Sequence, residues 1–171
     1  MADKSDSTDR TARLAVQPGT IRGIPPFIFS IPEGWEVEEA PNALAVVHAP
    51  EAVDGFWANL LISHDRLGAS VDLKLAAQAT WSKVLRQAPD AKITFERTAR
   101  FADNVMYLRG VEMTAPKSNR PLGQLHGLCI APKQEGAKTV DLFQLIATSL
   151  TDPTNSPLDQ FIEIIGSFRF I

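Results

Sequence analysis

Short apolar runs that end at turn-forming residues fill most of this chain, and this pattern limits what it can fold into. Between residues 27 and 148, runs of four to ten residues rich in Val, Ile, Leu and Phe stop at Pro, Gly, Asn or Asp. Such runs are typical of β-strands. Apolar residues recur at helical spacing only twice, over residues 70–88 and near the C-terminus. The chain is therefore predicted to be mainly a β-sheet with two helices.

Eight runs have the length and composition of strands. They cover residues 27–31, 35–38, 43–48, 56–64, 93–100, 105–113, 122–131 and 139–148. The fourth run has apolar residues on both of its faces, so we expect a central strand that is covered on both sides. The last four runs are joined by short turns and loops, which predicts an antiparallel meander.

The two helices have recognisable ends. Ser70 is predicted to cap the first helix, which continues until Pro89 stops it. Ser156 is predicted to cap the second helix, with Pro157 in its first turn and Gly166 at its end. Strands in a meander with two separate helices predict an α+β fold. We expect an antiparallel sheet of about six to eight strands with a helix packed on it, in the simplest arrangement one helix on each face.

The chain of 171 residues is predicted to contain one folded domain. Residues 1–20 are polar and lack periodicity, so we expect a disordered N-terminal tail. Pro25 and Pro26 mark the entry to a single α+β domain over residues 24–171. The N-terminal segment has no apolar core of a signal peptide, and no run is apolar enough to span a membrane, so we expect a cytoplasmic protein. The single cysteine, Cys129, lies in an apolar run and is expected to be a buried thiol.

The sequence lacks the common motifs of enzymes and of metal sites. No phosphate-binding loop, nucleophile elbow, zinc-protease motif or calcium loop is present. Ser63, His64 and Asp65 are consecutive, but neighbours on a strand point to opposite faces, so they cannot form a triad. His48 and His64 each end a predicted strand and would meet only if those strands pair in a suitable register. We therefore predict no catalytic residue, no cofactor and no metal ion.

The charge of the chain argues against nucleic acid as a partner. The formal net charge is -3, whereas phosphate binding relies on concentrated Lys and Arg. Lys117 and Arg120 lie in one hairpin loop and Lys133 and Lys138 in the next. Successive loops of a meander lie at opposite ends of the sheet, so these charges are not expected to form one patch. A protein partner is the better expectation.

Four residues are candidates for binding. Gln124 and His126 share one face of their predicted strand, and Gln144 could lie opposite them on the next strand. This polar row either lines a ligand cleft or forms the solvated patch of a half-covered sheet. Trp57 lies beside the loop of residues 50–55. It either packs in the core or, if exposed, indicates a partner surface.

Two segments carry a resemblance to a known family. The segment from Phe27 to Trp35 (FIFSIPEGW), followed by strands, a helix, a meander and a closing helix, resembles the PsbP-like superfamily. That superfamily includes the photosystem oxygen-evolving subunit and the Mog-type Ran-binding proteins. The segment from Phe56 to Leu67 (FWANLLISHDRL) resembles the actinobacterial LpqN/LpqT-type lipoproteins, although the leader and acylated cysteine of such lipoproteins are not seen in this sequence. The resemblance covers about residues 24–171. It implies an α/β/α sandwich and a non-enzymatic binding or assembly role, and it carries over no functional residue.

Three functions remain open at this point. The first is a non-catalytic protein-binding or accessory module. The second is a small-molecule or lipid-binding protein with a cleft between sheet and helix near Gln124, His126 and Gln144. The third is an enzyme whose acid–base pair comes from distant segments, for instance His48 with Asp54 or His64. A fold alone does not choose among them.

Overall fold

Ten strands and two helices follow one another in the computed structural model, which describes residues 13–16, 23–152 and 154–171. The strands are Arg13–Val16 (β1), Phe27–Ile31 (β2), Glu36–Glu38 (β3), Ala45–His48 (β4), Asn59–Gly68 (β5), Lys92–Phe101 (β6), Asn104–Thr114 (β7), Pro121–Ile130 (β8), Thr139–Leu150 (β9) and Arg169–Phe170 (β10). Helix α1 covers Leu73–Gln87, between β5 and β6, and helix α2 covers Leu158–Ser167, between β9 and β10.

Seven of these strands form the main sheet, in the order β3-β4-β5-β9-β8-β7-β6. Every neighbouring pair is antiparallel. β6 to β9 form the predicted meander. β9 also pairs with β5, and this pairing joins β3, β4 and β5 to the meander in one sheet. Together with the two helices, this confirms the α+β fold with a large antiparallel sheet.

The remaining strands form a second, three-stranded sheet in the order β1-β2-β10. β1 lies inside residues 1–20, which were predicted to be disordered, so that prediction is wrong for residues 13–16. The run Arg13-Leu-Ala-Val16 can pair with the free edge of β2, and this partner is not visible in the local sequence. The rest of the tail lies outside the described residues. β10 was also missed because two residues are too few to form a pattern.

The two faces of the main sheet are covered differently. Helix α2 and the small sheet cover one face, where Phe27, Phe143, Phe168 and Ile164 belong to the largest apolar cluster. Helix α1 lies on the other face, over β7 and β8, through a smaller cluster around Ala76. The predicted α/β/α arrangement is therefore confirmed, with α1 covering only part of its face.

The ends of both helices differ from the prediction. Asp72, not Ser70, caps α1, because its side chain accepts a hydrogen bond from the backbone N–H of Leu75. The N-cap of α2 is Pro157, with no side-chain cap from Ser156. Gly166 lies inside α2 rather than at its end. A β-carbon there would lie 3.1 Å from the Phe101 ring, so this glycine permits close packing.

Strand β5 begins at Asn59 rather than at Phe56. The chain turns at Asp54-Gly55, both with positive φ, and Val53 and Phe56 bond to each other across the turn. Because the turn redirects the chain, Phe56, Trp57 and Ala58 lie before the strand instead of forming its first residues. The expectation that β5 is covered on both sides holds for one face, since Leu60 and Ile62 are buried while the other face is half-buried. In the described part of the chain, neither helix is both long and apolar enough to cross a membrane.

Candidate functional site

Arg109 on β7 has its charged group buried between the sheet and α1. Only 1% of its surface is exposed. Its Nη1 donates to the carbonyl oxygen of Ala77 at 3.0 Å, and its Nη2 donates to Thr80 Oγ1 at 3.3 Å and to His126 Nδ1 at 3.1 Å. Its Nε–H has no hydrogen-bond partner among the described residues. Burial lowers the pKa of Arg109, but a guanidinium stays charged in proteins. β7 thus holds a buried cation with one free donor.

A polar network extends from Arg109 across the sheet. His126 Nε2 lies 2.7 Å from Gln124 Oε1, and Gln124 Nε2 donates to Thr148 Oγ1 at 3.1 Å. Burial and the charge of Arg109 lower the pKa of His126 to about 3, so the imidazole is neutral. Because the amide oxygen of Gln124 can only accept, we assign the proton to Nε2, and Nδ1 accepts the bond from Arg109. His126 is therefore a fully bonded, neutral side chain.

The structure brings together two of the three residues of the predicted polar row. Gln124 and His126 bond to each other, whereas Gln144 Nε2 donates to Asp65 Oδ2 at 2.8 Å. None of these three residues lines the cavity beside α1, which lies over β6 and β7. Gln124 lines a smaller cavity of about 170 Å³ next to Phe161 of α2.

That cavity has a volume of about 610 Å³ and opens between α1 and the strands β6 and β7. Arg109 forms part of its wall, and the rings of Trp81 and Tyr107 lie 5.0 and 5.8 Å from the Arg109 guanidinium carbon. Apolar side chains complete much of the lining: Leu73, Ala77, Ile93 and Val105. A cavity of this size, apolar with a few polar groups, is typical of small-molecule sites.

The residues of the Ser63-His64-Asp65 run reach different partners, as predicted from their alternation. His64 Nε2 lies 2.7 Å from Asp141 Oδ1, whereas Asp65 binds Gln144 on the opposite face. Arg66 Nε also donates to Asp141 Oδ1, at 3.0 Å. Burial raises the pKa of Asp141, but the hydrogen bonds from His64 and Arg66 outweigh it and hold this pKa below its usual value. Asp141 is thus a bonded, ionised group, which makes it a weak general base.

His48 and His64 do not meet. In the register of β4 and β5, His48 lies opposite Asn59. His48 Nε2 lies 3.5 Å from Glu38 Oε1, and its ring packs edge-on against Trp57 with centroids 5.6 Å apart. Among the described residues His48 forms no ion pair with Asp54, so neither of the acid–base pairs suggested for an enzyme forms.

Trp57 is exposed, with 47% of its surface accessible. It stands at the end of the loop between β4 and β5, next to the Asp54-Gly55 turn. The backbone N–H of Val53 and of Phe56 each donate to the other's carbonyl at 2.9 Å, which closes this turn tightly. Trp57 thus lies on a short loop whose path is set by a two-residue turn.

The surroundings of Trp57 are acidic. From residue 23 to residue 65 the chain contains seven Asp or Glu and no Lys or Arg. We call the exposed group at this end of the sheet the acidic edge, and it consists of Glu36, Glu38, Glu51, Asp54 and Trp57. Residues of the same loop also line a cavity of about 360 Å³, whose charged lining residues are Glu33, Glu51 and Asp152. The charge of this region is therefore uniformly negative.

The remaining findings concern metal ligands and the single cysteine. Among the described residues, no group of three or more His, Cys, Asp or Glu is arranged to hold a metal ion. Cys129 is buried, and burial raises the pKa of its thiol to about 12. A thiol with such a pKa is a poor nucleophile at neutral pH.

Sequence reasoning missed Arg109 and the acidic edge, although each left a signal. Arg109 interrupts the apolar run of β7, and an Arg in a central strand has to be compensated by partners from elsewhere. The acidic edge is visible as a charge imbalance over residues 23–65. The overall charge of -3 hides it because Lys and Arg are concentrated in the rest of the chain.

Comparison with known proteins connects this chain to others by structure and not by sequence. No protein-family model matches the sequence. No curated protein matches it by sequence either.

Three solved structures resemble the chain over almost its whole length. LpqN, involved in cell envelope biogenesis of Mycobacterium tuberculosis, has a TM-score of 0.70 at 17% identity, covering 94% of this chain and 91% of LpqN. Cyanobacterial PsbP (CyanoP) from Synechocystis sp. PCC 6803 has a TM-score of 0.60 at 15% identity, covering 98% of both chains. The Ran-binding protein Mog1p of Saccharomyces cerevisiae has a TM-score of 0.54 at 13% identity, covering 94% of this chain and 96% of Mog1p. The resemblance predicted from the sequence is thus confirmed for the fold: the chain has the PsbP-like fold, and of these three structures it is most similar to LpqN.

Proposed function

We propose that this chain is a non-catalytic accessory module that binds a partner protein of basic surface charge at its acidic edge. The observation that carries this proposal is the exposed Trp57, whose ring packs on His48, the same residue whose Nε2 lies 3.9 Å from Glu36 and 3.5 Å from Glu38. Exposed Trp side chains are strongly enriched among the residues that dominate binding energy in protein interfaces. Surface carboxylates of one sign attract a partner of opposite charge and speed its encounter.

The geometry of the loop supports binding by a preformed surface. Trp57 packs on His48, and its backbone carbonyl accepts a hydrogen bond from Asn59 Nδ2 at 2.9 Å. The Asp54-Gly55 turn fixes the loop before it. A side chain that is already oriented loses less conformational entropy when it is buried by a partner.

The acidic cavity next to the loop adds specificity. Its volume of about 360 Å³ accommodates a Lys or Arg side chain, and its charged lining residues are all acidic. A basic side chain of the partner would pair there with Glu33 or Glu51 while an apolar group covers Trp57. The same negative charge disfavours nucleic acid, which is consistent with the expectation of a protein partner.

The titratable groups support a role without catalysis. His126 is neutral and buried, Cys129 is buried, and Asp141 is bonded to two cationic or polar donors. His126 and Asp141 are thus hydrogen-bonded within the fold, and Cys129 is covered by its core. LpqN, CyanoP and Mog1p share only the fold, so the accessory role and the cytoplasmic location remain proposals for this chain.

Affinity capture with matched variants tests the proposal. The full chain is immobilised, and an extract of the cells that produce it is passed over wild type, Trp57→Ser and the Glu36→Lys, Glu38→Lys double variant. Ile162→Ser is the control, since Ile162 is an exposed apolar residue on α2 with 38% accessibility. A specific partner should be retained by wild type and by the control, and recovered roughly thirtyfold less with Trp57→Ser.

The contribution of the acidic residues to binding is measured separately. Recovery of the partner should fall with the double Lys variant and with rising salt, because surface charges are screened within about 8 Å at physiological ionic strength. If every captured protein is recovered equally with wild type, Trp57→Ser and the double variant, the proposed docking surface is wrong.

The cavity beside α1 favours a second candidate function, the binding of a small molecule. Its volume of about 610 Å³ lies within the usual range for ligand sites. It is on a different part of the molecule from the acidic edge, so the two functions are compatible. An NMR titration with neutral and charged aromatic probes tests this function. A shift of the Trp81 indole N–H resonance would support small-molecule binding, and the absence of any shift would count against it.

A further inference from the structure

The buried charge of Arg109 forms no salt bridge with a carboxylate of the described residues, although the charge of Glu96 raises the pKa of Arg109 and so offsets part of the cost of burial. None of the ion pairs among the described residues involves Arg109. Its terminal nitrogens bond only to neutral groups, and its Nε–H is unpaired although the side chain is 99% buried. A buried cation with neutral partners and an unused donor is costly. An anion bound beside it would lower that cost.

The carboxylate nearest in strand register is already engaged. Glu96 lies opposite Arg109 in the pairing of β6 and β7. Its Oε2 accepts a hydrogen bond from the Tyr107 hydroxyl at 2.5 Å. Glu96 Oε2 is therefore bonded to Tyr107, and Glu96 makes no ion pair with the guanidinium.

The charges around the cavity are suited to an anion. Three cationic residues line it, Lys74, Arg97 and Arg109, against two acidic ones, Asp72 and Glu96. One oxygen of Asp72 caps α1 through Leu75 N–H at 2.8 Å, so it is engaged in the same way as Glu96. An anionic ligand would bring the formal charge of the site close to zero.

We propose that this cavity binds a small organic carboxylate, with an apolar body packed on the wall formed by Leu73, Ile93 and Val105. One ligand oxygen would accept from Arg109 Nε–H, which is covered in the unliganded chain and becomes accessible when the ligand enters. The proposal rests on the second candidate function and adds the chemical class of the ligand. A single free N–H matches one carboxylate oxygen. A phosphate dianion usually takes several donors, whereas Arg109 Nε–H is the one unpaired buried side-chain donor among the residues that the structure describes.

A matched pair of probes tests the class of ligand. 2-Naphthoate and 2-naphthamide have nearly the same shape and differ in charge, and each is titrated into the labelled full chain at low salt. The Trp81 indole N–H reports on the cavity and the Trp57 indole N–H on the acidic edge. We expect naphthoate to bind at least about tenfold more tightly than naphthamide, which corresponds to one charge-assisted hydrogen bond. The Trp81 resonance should shift and the Trp57 resonance should not.

Variants test two points separately: whether the probe binds in the cavity, and whether Arg109 causes the preference for a carboxylate. Val105→Trp fills the mouth of the cavity, and Ile162→Trp places the same residue at a similarly exposed position on α2; the accessibilities of the native residues are 40% and 38%. Naphthoate binding should be lost with the first and kept with the second. Arg109→Lys should abolish the preference for naphthoate, provided its amide spectrum shows a folded chain. If Arg109→Lys does not fold, Val105→Trp still decides whether the ligand sits in the cavity.

The possible failures are distinct. Equal binding of both probes at Trp81 would support a small-molecule site but overturn the assignment of its ligand to the carboxylates. Binding of neither probe, or naphthoate binding that survives Val105→Trp, would overturn both the small-molecule site and the carboxylate assignment. Trp57→Ser should leave naphthoate binding unchanged, so a failure here says nothing against docking at the acidic edge.

Discussion

Gly110 on β7 and Gly123 on β8 differ in the space that surrounds them. A β-carbon on Gly110 would lie 2.4 Å from the Phe95 ring and 2.6 Å from Thr94 Oγ1, whereas one on Gly123 would lie 3.8 Å from its nearest neighbour. Phe95 is the register partner of Gly110 next to a bulge in β6. The aromatic ring thus covers the bare glycine backbone, an arrangement that supports glycine in sheets.

We expect Gly110→Ala to lower the free energy of unfolding by about 1–3 kcal/mol, because Phe95 and Thr94 must both move. Gly123→Ala is the control and should change it by less than about 1 kcal/mol. Urea denaturation measures both. Equal effects of the two substitutions would contradict the described packing at the bulge.

His126 makes stability depend on pH in a specific window. Its pKa is lowered from 6.5 to about 3, first by burial and second by Arg109. Above pH 6.5 the imidazole is neutral in both folded and unfolded chains. As the pH falls below 6.5 the unfolded chain binds a proton that the folded chain does not, so the folded state loses up to about 1.4 kcal/mol per pH unit.

The difference between wild type and His126→Gln isolates this effect. The free energy of unfolding of wild type should fall more steeply between pH 6.5 and pH 4.5 than that of the variant, whose amide oxygen can still accept from Arg109. Asp141, whose pKa is held low, loses its contribution only below about pH 4. Parallel curves in urea denaturation at several pH values would show that His126 is not held neutral.

At the scale of elements, the helix ends give a clear comparison. Asp72 accepts the hydrogen bond from Leu75 N–H at the start of α1, while Ser156 makes no cap bond at α2. Asp72→Ala is expected to cost about 0.5–2 kcal/mol of stability. Ser70→Ala and Ser156→Ala should stay within about 0.5 kcal/mol. Thermal or urea denaturation of the three variants checks this, and a larger loss with Ser156→Ala than with Asp72→Ala would contradict it.

Elements were predictable from the sequence where their own residues determine them. The meander strands and both helices follow from local periodicity and turn residues, and they appear near the expected positions. β1 and β10 were not predictable because they are strands only through pairing with β2. For the same reason, the assignment of β2 to a second sheet was not visible along the chain.

The candidate sites were predictable only in part. Trp57 was identified from its position beside a loop, and Gln124 and His126 from their alternation along β8. Arg109 was missed because its partners come from α1 and β8, which no local pattern connects to β7. Contacts between distant segments decide which polar residue is buried, and a single sequence does not display them.

At the scale of the whole molecule, two candidate binding surfaces lie on separate parts of one PsbP-like scaffold. The acidic edge occupies β3 and the loop between β4 and β5, and the cavity of Arg109 lies between α1 and the strands β6 and β7. The three tryptophans report on different regions: Trp35 is buried in the core, Trp57 lies at the acidic edge, and Trp81 lines the cavity. Each binding event can therefore be followed on its own.

The proposed function requires a basic partner protein to dock at the acidic edge. Hydrogen–deuterium exchange of the full chain, alone and with the partner recovered by affinity capture, tests this docking. We expect the partner to slow exchange in residues 36–38 and 50–58 and to leave α1 unchanged. Slowed exchange confined to α1 and β6–β7, with none at residues 50–58, would contradict the claim.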